Sequence, residues 1–290
     1  MKNLLQINKD ALEAWGAADF STAFTLFKRN AEENPCHLTL NNFGKFCCDE
    51  GQLQKNGRWK SAKSVGLRYM IKASQMEKRS LNLFNIATVL YSLGRLGEAF
   101  LYFQDAFTIE PTSTTQYNIG VCLLTSGNYE EAEKIFSLLK KKDISEILSH
   151  GGVDPAVPYA FSQCLKNVHL GTLDTEQIES LPATGDEKIA LFYLCGNFRS
   201  VIEYSPTILS EWHLEDSLIA MIFDSIDKEN HLAEEKKVEI LKLISSNYKE
   251  MKTLASCADE RAKCIKQFAY VPPLAELCGY YGCPVHNTPV

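Results

Sequence analysis

The sequence predicts an all-α protein, a right-handed α-solenoid of helical hairpins that becomes degenerate toward the C-terminus. Two observations support this prediction. A segment that begins at Leu83 matches, without a gap, a segment that begins at Gln116, so the offset is 33 residues. Apolar residues recur at helical spacing within both copies and in patches beyond them. A fixed offset of this size is typical of stacked helical hairpins.

The two copies agree at the positions that would pack a hairpin. The first reads LFNIATVLYSLGRLGEAFLYFQDAF and the second QYNIGVCLLTSGNYEEAEKIFSLLK. The matched residues include one turn glycine and one large aromatic residue. The identical pairs include Asn85 and Asn118, Ile86 and Ile119, Gly94 and Gly127, Glu98 and Glu131, Ala99 and Ala132, and Phe103 and Phe136.

Each matched residue type has a physical reason to be there. Small residues at Ala87 and Ala99 let two helix backbones approach closely, and Phe103 fills the gap toward the next hairpin. Gly94 supplies the left-handed conformation that ends a helix, and Pro111 cannot continue one. This pattern resembles the tetratricopeptide repeat family, whose unit of about 34 residues is a helix, a turn and an antiparallel helix.

The resemblance implies four units within a repeat array over residues 1–148. They begin near residue 4 and are expected at 4–36, 37–79, 80–112 and 113–145. The second unit is longer than the others, because Gly44 lies 43 residues before Ala87 whereas the later copies are 33 apart. Such an insertion maps to the loop between two helices, where repeat proteins often carry binding residues. Trp59 lies in it and is either a contact for a partner or a side chain that packs under its own loop.

The resemblance also implies a binding groove. In this family the first helix of each unit lines a concave surface, and the asparagine at the sixth place of the unit faces it. A row of carboxamides can donate to and accept from the backbone of an extended peptide. The alternative is that asparagine is simply preferred at this place in the family. The predicted peptide-binding residues are the ladder Asn42, Asn85 and Asn118, the groove aromatics Phe84, Tyr91 and Tyr117, and Trp59 of the insertion.

The C-terminal half departs from the repeat pattern. A run rich in Gly and Pro at 149–158 interrupts helical periodicity. Residues 149–269 are expected to form degenerate helical repeats or a small helical domain. Residues 270–290 are rich in Cys, Pro and Gly and are expected to form an extended tail, which could fold back into the repeat groove.

Cysteines cluster near the C-terminus and raise the question of a metal. No cofactor is expected by default, because ten cysteines in a reducing compartment are best explained as free thiols. Zinc is the alternative, since it is held by four Cys or His ligands that converge tetrahedrally. The candidate metal ligands are Cys257, Cys264, Cys278, Cys283 and His286.

Several classes of function are disfavoured by composition and motifs. The net charge of −6 argues against a general nucleic-acid binder. No apolar run reaches the length of a membrane span and no signal peptide is recognised, so we expect a cytoplasmic protein without membrane insertion. The sequence has no phosphate loop, nucleophile elbow or helical H-E-x-x-H, and we therefore expect no enzyme.

The sequence thus predicts a scaffold, adaptor or chaperone that binds a protein or peptide in its groove. Three alternatives remain open at this point. The Cys/His cluster would make the chain a zinc-binding module, or the chain would serve as the partner or subunit of a peptide-modifying enzyme. A third possibility is an autoinhibited scaffold whose tail occupies its own groove.

Overall fold

Helices make up almost all the regular structure of the described residues. The structure is a computed structural model that describes residues 2–53, 59–166, 173–209, 215–229, 238–243 and 252–286. The all-helical class predicted from the sequence is confirmed. The helices are α1 (Lys2–Gly16), α2 (Phe20–Glu33), α3 (His37–Asp49), α4 (Lys63–Met76), α5 (Ser80–Ser92), α6 (Leu96–Ile109), α7 (Ser113–Thr125), α8 (Tyr129–Leu139), α9 (Ser145–Ser149), α10 (Ala156–Lys166), α11 (Thr175–Ser180), α12 (Gly185–Leu194), α13 (Phe198–Ile208), α14 (Asp216–Lys228), α15 (238–243), α16 (Lys252–Ser256) and α17 (Ala258–Lys266).

The chain divides into two compact units that interleave along the sequence. The first unit comprises Met1–Ser126, Ile144–Gly152 and Pro273–Val290. The second unit comprises Gly127–Asp143 and Val153–Pro272. The C-terminal residues of the chain therefore belong to the same unit as its N-terminal helices.

Three antiparallel hairpins followed by α7 form the bulk of the first unit. The hairpins are α1 with α2, α3 with α4, and α5 with α6. Phe27 and Phe103 are almost completely buried on second helices, where they fill the space between neighbouring hairpins. Two of the hairpins turn at a residue with positive φ. The turn between α1 and α2 has Ala18 at 58°, and the turn between α5 and α6 has Gly94 at 73°. Glycine adopts this conformation without steric cost, whereas alanine does so with strain.

The second hairpin is packed unusually closely because two glycines face each other. A Cβ atom on Gly66 would lie 2.3 Å from the carbonyl oxygen of Gly44, and one on Gly44 would lie 2.8 Å from the carbonyl oxygen of Gly66. Helix backbones can approach this closely only where both side chains are absent. The inserted residues between α3 and α4 include a short antiparallel pair, β1 (Gln52–Leu53) and β2 (Trp59–Lys60).

The second unit has its own hydrophobic core. Helices α10, α12, α13 and α14 contribute most of its buried side chains, among them Phe161, Phe192 and Met221. Tyr270 stacks on Phe161 with ring centroids 3.6 Å apart, so the chain is still part of this unit at that position. Throughout the part of the chain that the structure describes, no helix combines the length and the apolar character needed to cross a bilayer.

Candidate functional site

An extended segment near the C-terminus lies along the first helices of the hairpins. This tail segment, Pro273–His286, contains no helix or strand. It contacts side chains of α1, α3, α5 and α7, which together line a groove in the first unit. Pro273 and Pro284 lack backbone N–H groups, which disfavours helix formation in the segment. The groove residues that bond the tail backbone are Asn8, Asn41, Asn42, Asn85, Tyr117 and Asn118.

Helix α7 holds the beginning of the tail segment. The Nδ2 atom of Asn118 donates to the carbonyl oxygen of Ala275 at 2.9 Å, and its Oδ1 atom accepts from the backbone N–H of Ala275 at 2.9 Å. The hydroxyl of Tyr117 donates to the carbonyl oxygen of Pro273 at 3.1 Å. Asn118 and Ala275 are both completely buried. One carboxamide therefore satisfies both backbone groups of one tail residue, as a neighbouring strand would.

Helices α3 and α5 converge on a single carbonyl further along the tail. Asn41 and Asn85 both donate through Nδ2 to the carbonyl oxygen of Gly279, at 2.9 and 2.8 Å. Asn85 also donates to Oδ1 of Asn41 at 3.0 Å, which fixes the orientation of both carboxamides. A carbonyl oxygen has two lone pairs, so this one is fully satisfied without water.

Helices α1 and α3 hold the next tail residue. Asn8 and Asn42 donate to the carbonyl oxygen of Tyr281 at 2.9 and 3.0 Å, and Oδ1 of Asn42 accepts from the N–H of Tyr281 at 2.9 Å. Asn42 also donates to Oδ1 of Asn8 at 2.7 Å. As the tail runs from Ala275 to Tyr281 it passes from α7 to α1, so its direction opposes the order of the hairpins.

Tail side chains add apolar contacts to these bonds. Tyr280 is almost completely buried and lies against Trp15 and Phe27, with ring centroids 4.7 and 5.8 Å away. Its hydroxyl donates to Oδ2 of Asp49 at 2.9 Å. Burial, and then the Asp49 carboxylate, raise the pKa of Tyr280 well above its ordinary value. The phenol therefore stays neutral and remains a donor at ordinary pH.

The other tail tyrosine occupies a different pocket. The Tyr281 ring meets the His37 ring edge-on, with centroids 5.4 Å apart. Burial is the main cause that lowers the pKa of His37, although its Nδ1 atom lies 2.8 Å from Oε2 of Glu77. Burial likewise raises the pKa of Tyr281. Both groups are thus favoured in their neutral forms, which suits an aromatic contact rather than an ion pair.

Gly279 fits the groove because it has no side chain. A Cβ atom at this position would lie 2.4 Å from Oδ1 of Asn85 and 2.5 Å from Cε of Lys45. The first contact involves a carboxamide that is already fixed by two hydrogen bonds. The groove therefore accepts glycine here and excludes larger residues.

The remaining groove aromatics predicted from the sequence lie in different surroundings. Tyr117 contacts the tail as described above. Phe84 is buried in the core of the first unit, edge-on to Phe103 at 5.3 Å. The Tyr91 hydroxyl lies 3.1 Å from Oγ1 of Thr125, and burial raises the pKa of Tyr91. Trp59 begins β2, and its side chain lies outside the described residues.

Two asparagines that bond the tail backbone were absent from the predicted ladder. Asn8 lies 34 residues before Asn42, which is one repeat length, so a unit boundary one residue earlier would have placed Asn8 in the ladder. Asn41 precedes a ladder residue and has no counterpart at the repeat spacing. Its role depends on the path of the tail and has no signal in the sequence.

The cysteines and the histidine proposed as metal ligands separate into two sets. The ligand atoms of Cys278, Cys283 and His286 all lie within 4.8 Å of one another at the end of the tail segment. Cys257 is the N-cap residue of α17 and Cys264 lies within that helix, in the second unit. No disulfide joins any of the ten cysteines, all of which fall within the described residues.

Hairpins that pack side by side and line a groove with their first helices define a helical-repeat protein. Comparison with known families agrees, because the tetratricopeptide repeat model matches residues 82–113 and 113–140. A solved structure of similar fold is a tetratricopeptide repeat protein from Parabacteroides merdae ATCC 43184. It shares 13% identity with this chain at a TM-score of 0.60, over 92% of this chain and 98% of the other. No curated protein matches. Residues 82–140 are therefore similar to tetratricopeptide repeats, and the fold is that of an α-solenoid.

Proposed function

We propose that this protein is an interaction scaffold whose groove binds an extended peptide, and that its own tail segment fills the groove until a partner displaces it. Tetratricopeptide repeats are typically protein-interaction modules, which supports the general class of function. The observation that carries the finer proposal is the set of asparagine bonds to backbone atoms of Ala275, Gly279 and Tyr281. Such bonds recognise an extended chain and not a particular side chain.

The tail suggests which partner segments would compete with it. The groove requires glycine at position 279 because a Cβ atom would strike Asn85. It then accepts one aromatic ring against Trp15 and Phe27, and a second against His37. We therefore expect a partner that presents an extended segment with glycine followed by two aromatic residues. The backbone bonds supply affinity, and these three positions supply selectivity.

The covalent link gives the tail an advantage that a partner must overcome. A tethered segment competes at an effective concentration of roughly millimolar order when the linker is short. The apparent affinity for an external peptide is the intrinsic affinity multiplied by the fraction of molecules whose groove is open, so a tail that keeps the groove filled weakens binding. A variant that weakens the tail without altering the groove should therefore bind external peptide more tightly than the natural chain.

Gly279→Ala supplies this variant, because the change lies in the tail and leaves every groove residue intact. The probe is a fluorescently labelled synthetic peptide with the natural sequence of residues 273–286, kept under reducing conditions. We expect fluorescence anisotropy to show at least tenfold tighter binding to full-length Gly279→Ala than to the natural chain. Gly97→Ala is the matched control, since a Cβ atom there meets nothing within 4 Å.

A second change tests whether the groove itself is responsible. Adding Asn85→Ala and Asn118→Ala to the Gly279→Ala chain removes three hydrogen bonds to a bound tail peptide, two that the asparagines donate and one that Asn118 accepts. It also removes the bond from Asn85 to Asn41, which orients the groove carboxamides. The labelled peptide should then bind at least tenfold more weakly. Equal peptide affinity for the natural chain, Gly279→Ala and the triple variant would disprove the proposal.

A further inference from the structure

We propose that Cys278, Cys283 and His286 bind one zinc ion at the end of the tail segment. Their Sγ, Sγ and imidazole nitrogen atoms lie within 4.8 Å of one another. Two thiolates and one imidazole are ligands that zinc prefers, and three protein ligands leave a fourth position for water. The proposal concerns this cluster alone and does not depend on the proposed peptide binding.

One ligand pair already has the separation that a shared ion would impose. Sγ of Cys283 lies 3.4 Å from Nδ1 of His286. With a Zn–S bond of about 2.3 Å, a Zn–N bond of about 2.0 Å and a tetrahedral angle, the two ligand atoms would be about 3.5 Å apart. The same reasoning gives about 3.8 Å between the Sγ atoms of two zinc-bound thiolates. Sγ of Cys278 already lies within 4.8 Å of the other two ligand atoms, so it needs to move only slightly to complete the site.

A turn in the tail brings the two cysteines together. Gly282 has φ of 71°, a conformation that a side chain would disfavour. The backbone N–H of Cys283 donates to the carbonyl oxygen of Tyr280 at 3.4 Å across this turn. Tyr280 is anchored against Trp15 of α1 and Phe27 of α2, so the first unit fixes one end of the turn. The ligands are thus pre-positioned by the protein and are not merely near in sequence.

The three ligands differ in how much of each is exposed to solvent. Cys283 is buried, Cys278 is half-buried and His286 is exposed. An ion held here would have protein on one side and solvent on the other, which provides room for a water ligand and a path of entry. Binding converts each thiol to a thiolate and releases its proton to solvent, while the neutral imidazole donates its lone pair. No other reactant is needed.

The ion would also stabilise the tail in its observed path. A bond from zinc to residues 278, 283 and 286 closes a short loop around the turn at Gly282. Because ligands of an unfolded segment are not arranged for binding, the free energy of metal binding contributes to ordering the segment that holds them. Zinc would therefore make the tail segment harder to open.

The experiment measures zinc binding by the full-length chain, reduced and stripped of metal. Titration with zinc chloride against a chromophoric chelator should give one tight equivalent per chain. Cys278→Ser with Cys283→Ser should reduce affinity at least 100-fold. Cys257→Ser with Cys264→Ser is the matched control and should bind as the natural chain does, because these cysteines lie outside the cluster.

His286→Ala guards against a trivial loss of folding, because this side chain is exposed and its removal should leave the helical circular dichroism unchanged. It should weaken zinc binding by at least tenfold. Substitution with cobalt should give thiolate-to-metal charge-transfer absorption in the natural chain and not in the cysteine variant. Absence of a tight equivalent in the natural chain, or equal binding by the natural chain and the Cys278→Ser, Cys283→Ser variant, would overturn the proposal.

Discussion

Asn118 and Ala275 pair through both backbone groups of the alanine, with the carboxamide of one residue taking the place of a neighbouring strand. The two bonds are each 2.9 Å long, and they join residues 157 apart in the sequence. A buried carboxamide that satisfies a donor and an acceptor at once is geometrically demanding, since both partners must lie in one plane. This relationship suggests a direct test of how strongly the groove holds its tail.

Replacing Asn118 with alanine should loosen the tail. The change leaves the N–H and carbonyl of Ala275 buried without partners, which costs about 1–3 kcal/mol. We expect faster hydrogen exchange across residues 273–281 and a lower midpoint of chemical unfolding. Asn3→Ala on the exposed face of α1 is the matched control and should change neither quantity. Unaltered exchange in Asn118→Ala would show that the tail is held by other contacts.

Removing the Tyr280 hydroxyl should change how stability depends on pH. Burial raises the pKa of this phenol above its ordinary value of 10.0. Folding therefore favours the protonated form, and this contribution is complete below pH of about 10 and lost as the pH rises above it. Tyr280→Phe cannot ionise at this position, so its unfolding free energy should fall less steeply as the pH rises above about 10.

Denaturant titrations of both chains across this pH range make the comparison. The two chains share every other tyrosine and lysine, so the difference between the two slopes reports on Tyr280. At neutral pH the variant should lose about 1–3 kcal/mol, because the bond to the Asp49 carboxylate disappears while the ring packing remains. Parallel pH profiles would contradict a raised pKa at this position.

Relieving the strain at Ala18 should stabilise the protein. Its φ of 58° is a conformation that costs an L-residue about 1–2 kcal/mol. Glycine adopts it freely but loses more backbone entropy on folding, so Ala18→Gly should gain roughly 0.5–1 kcal/mol. Ala17→Gly at the neighbouring turn position, where φ is not positive, should instead lose stability. Thermal unfolding of the two variants measures whether each change raises or lowers stability, and a loss of stability in Ala18→Gly would refute the prediction.

The two cysteines of the second unit that lie closest should be the first to oxidise. Sγ of Cys164 lies 3.4 Å from Sγ of Cys195. Glutathione disulfide would form a mixed disulfide with one thiol, and the other would displace glutathione and close the protein disulfide. Burial raises the pKa of Cys47, Cys48 and Cys122 to about 12, so these thiols offer almost no thiolate and should stay reduced.

Differential alkylation followed by peptide mass spectrometry follows this reaction. The expected product links Cys164 to Cys195, and Cys195→Ser should prevent it. Prior oxidation of Cys47, Cys48 or Cys122 would show that access, rather than thiolate fraction and proximity, decides the order.

Local signals in the sequence predicted the helical class and the repeats, because each helical hairpin needs the same residue types at the same spacing. Gly94, Ala99 and Phe103 each meet a requirement of one hairpin and recur at the same spacing in the next. The ladder Asn42, Asn85 and Asn118 could be named for the same reason. Phe84 shows the limit of this reasoning, since periodicity places a residue on a helix and does not tell a groove from the core behind it.

Contacts distant in sequence could not be read in this way. Asn41 donates a hydrogen bond to Gly279, which lies 238 positions away, and no sequence pattern around either residue predicts this contact. The sequence by itself determined the hairpins, the row of asparagines and a tail unable to form a helix, because each depends on neighbours within one repeat. The tertiary structure alone decided that the tail fills the groove and gathers Cys278, Cys283 and His286, because those contacts form only after the chain ends are brought together.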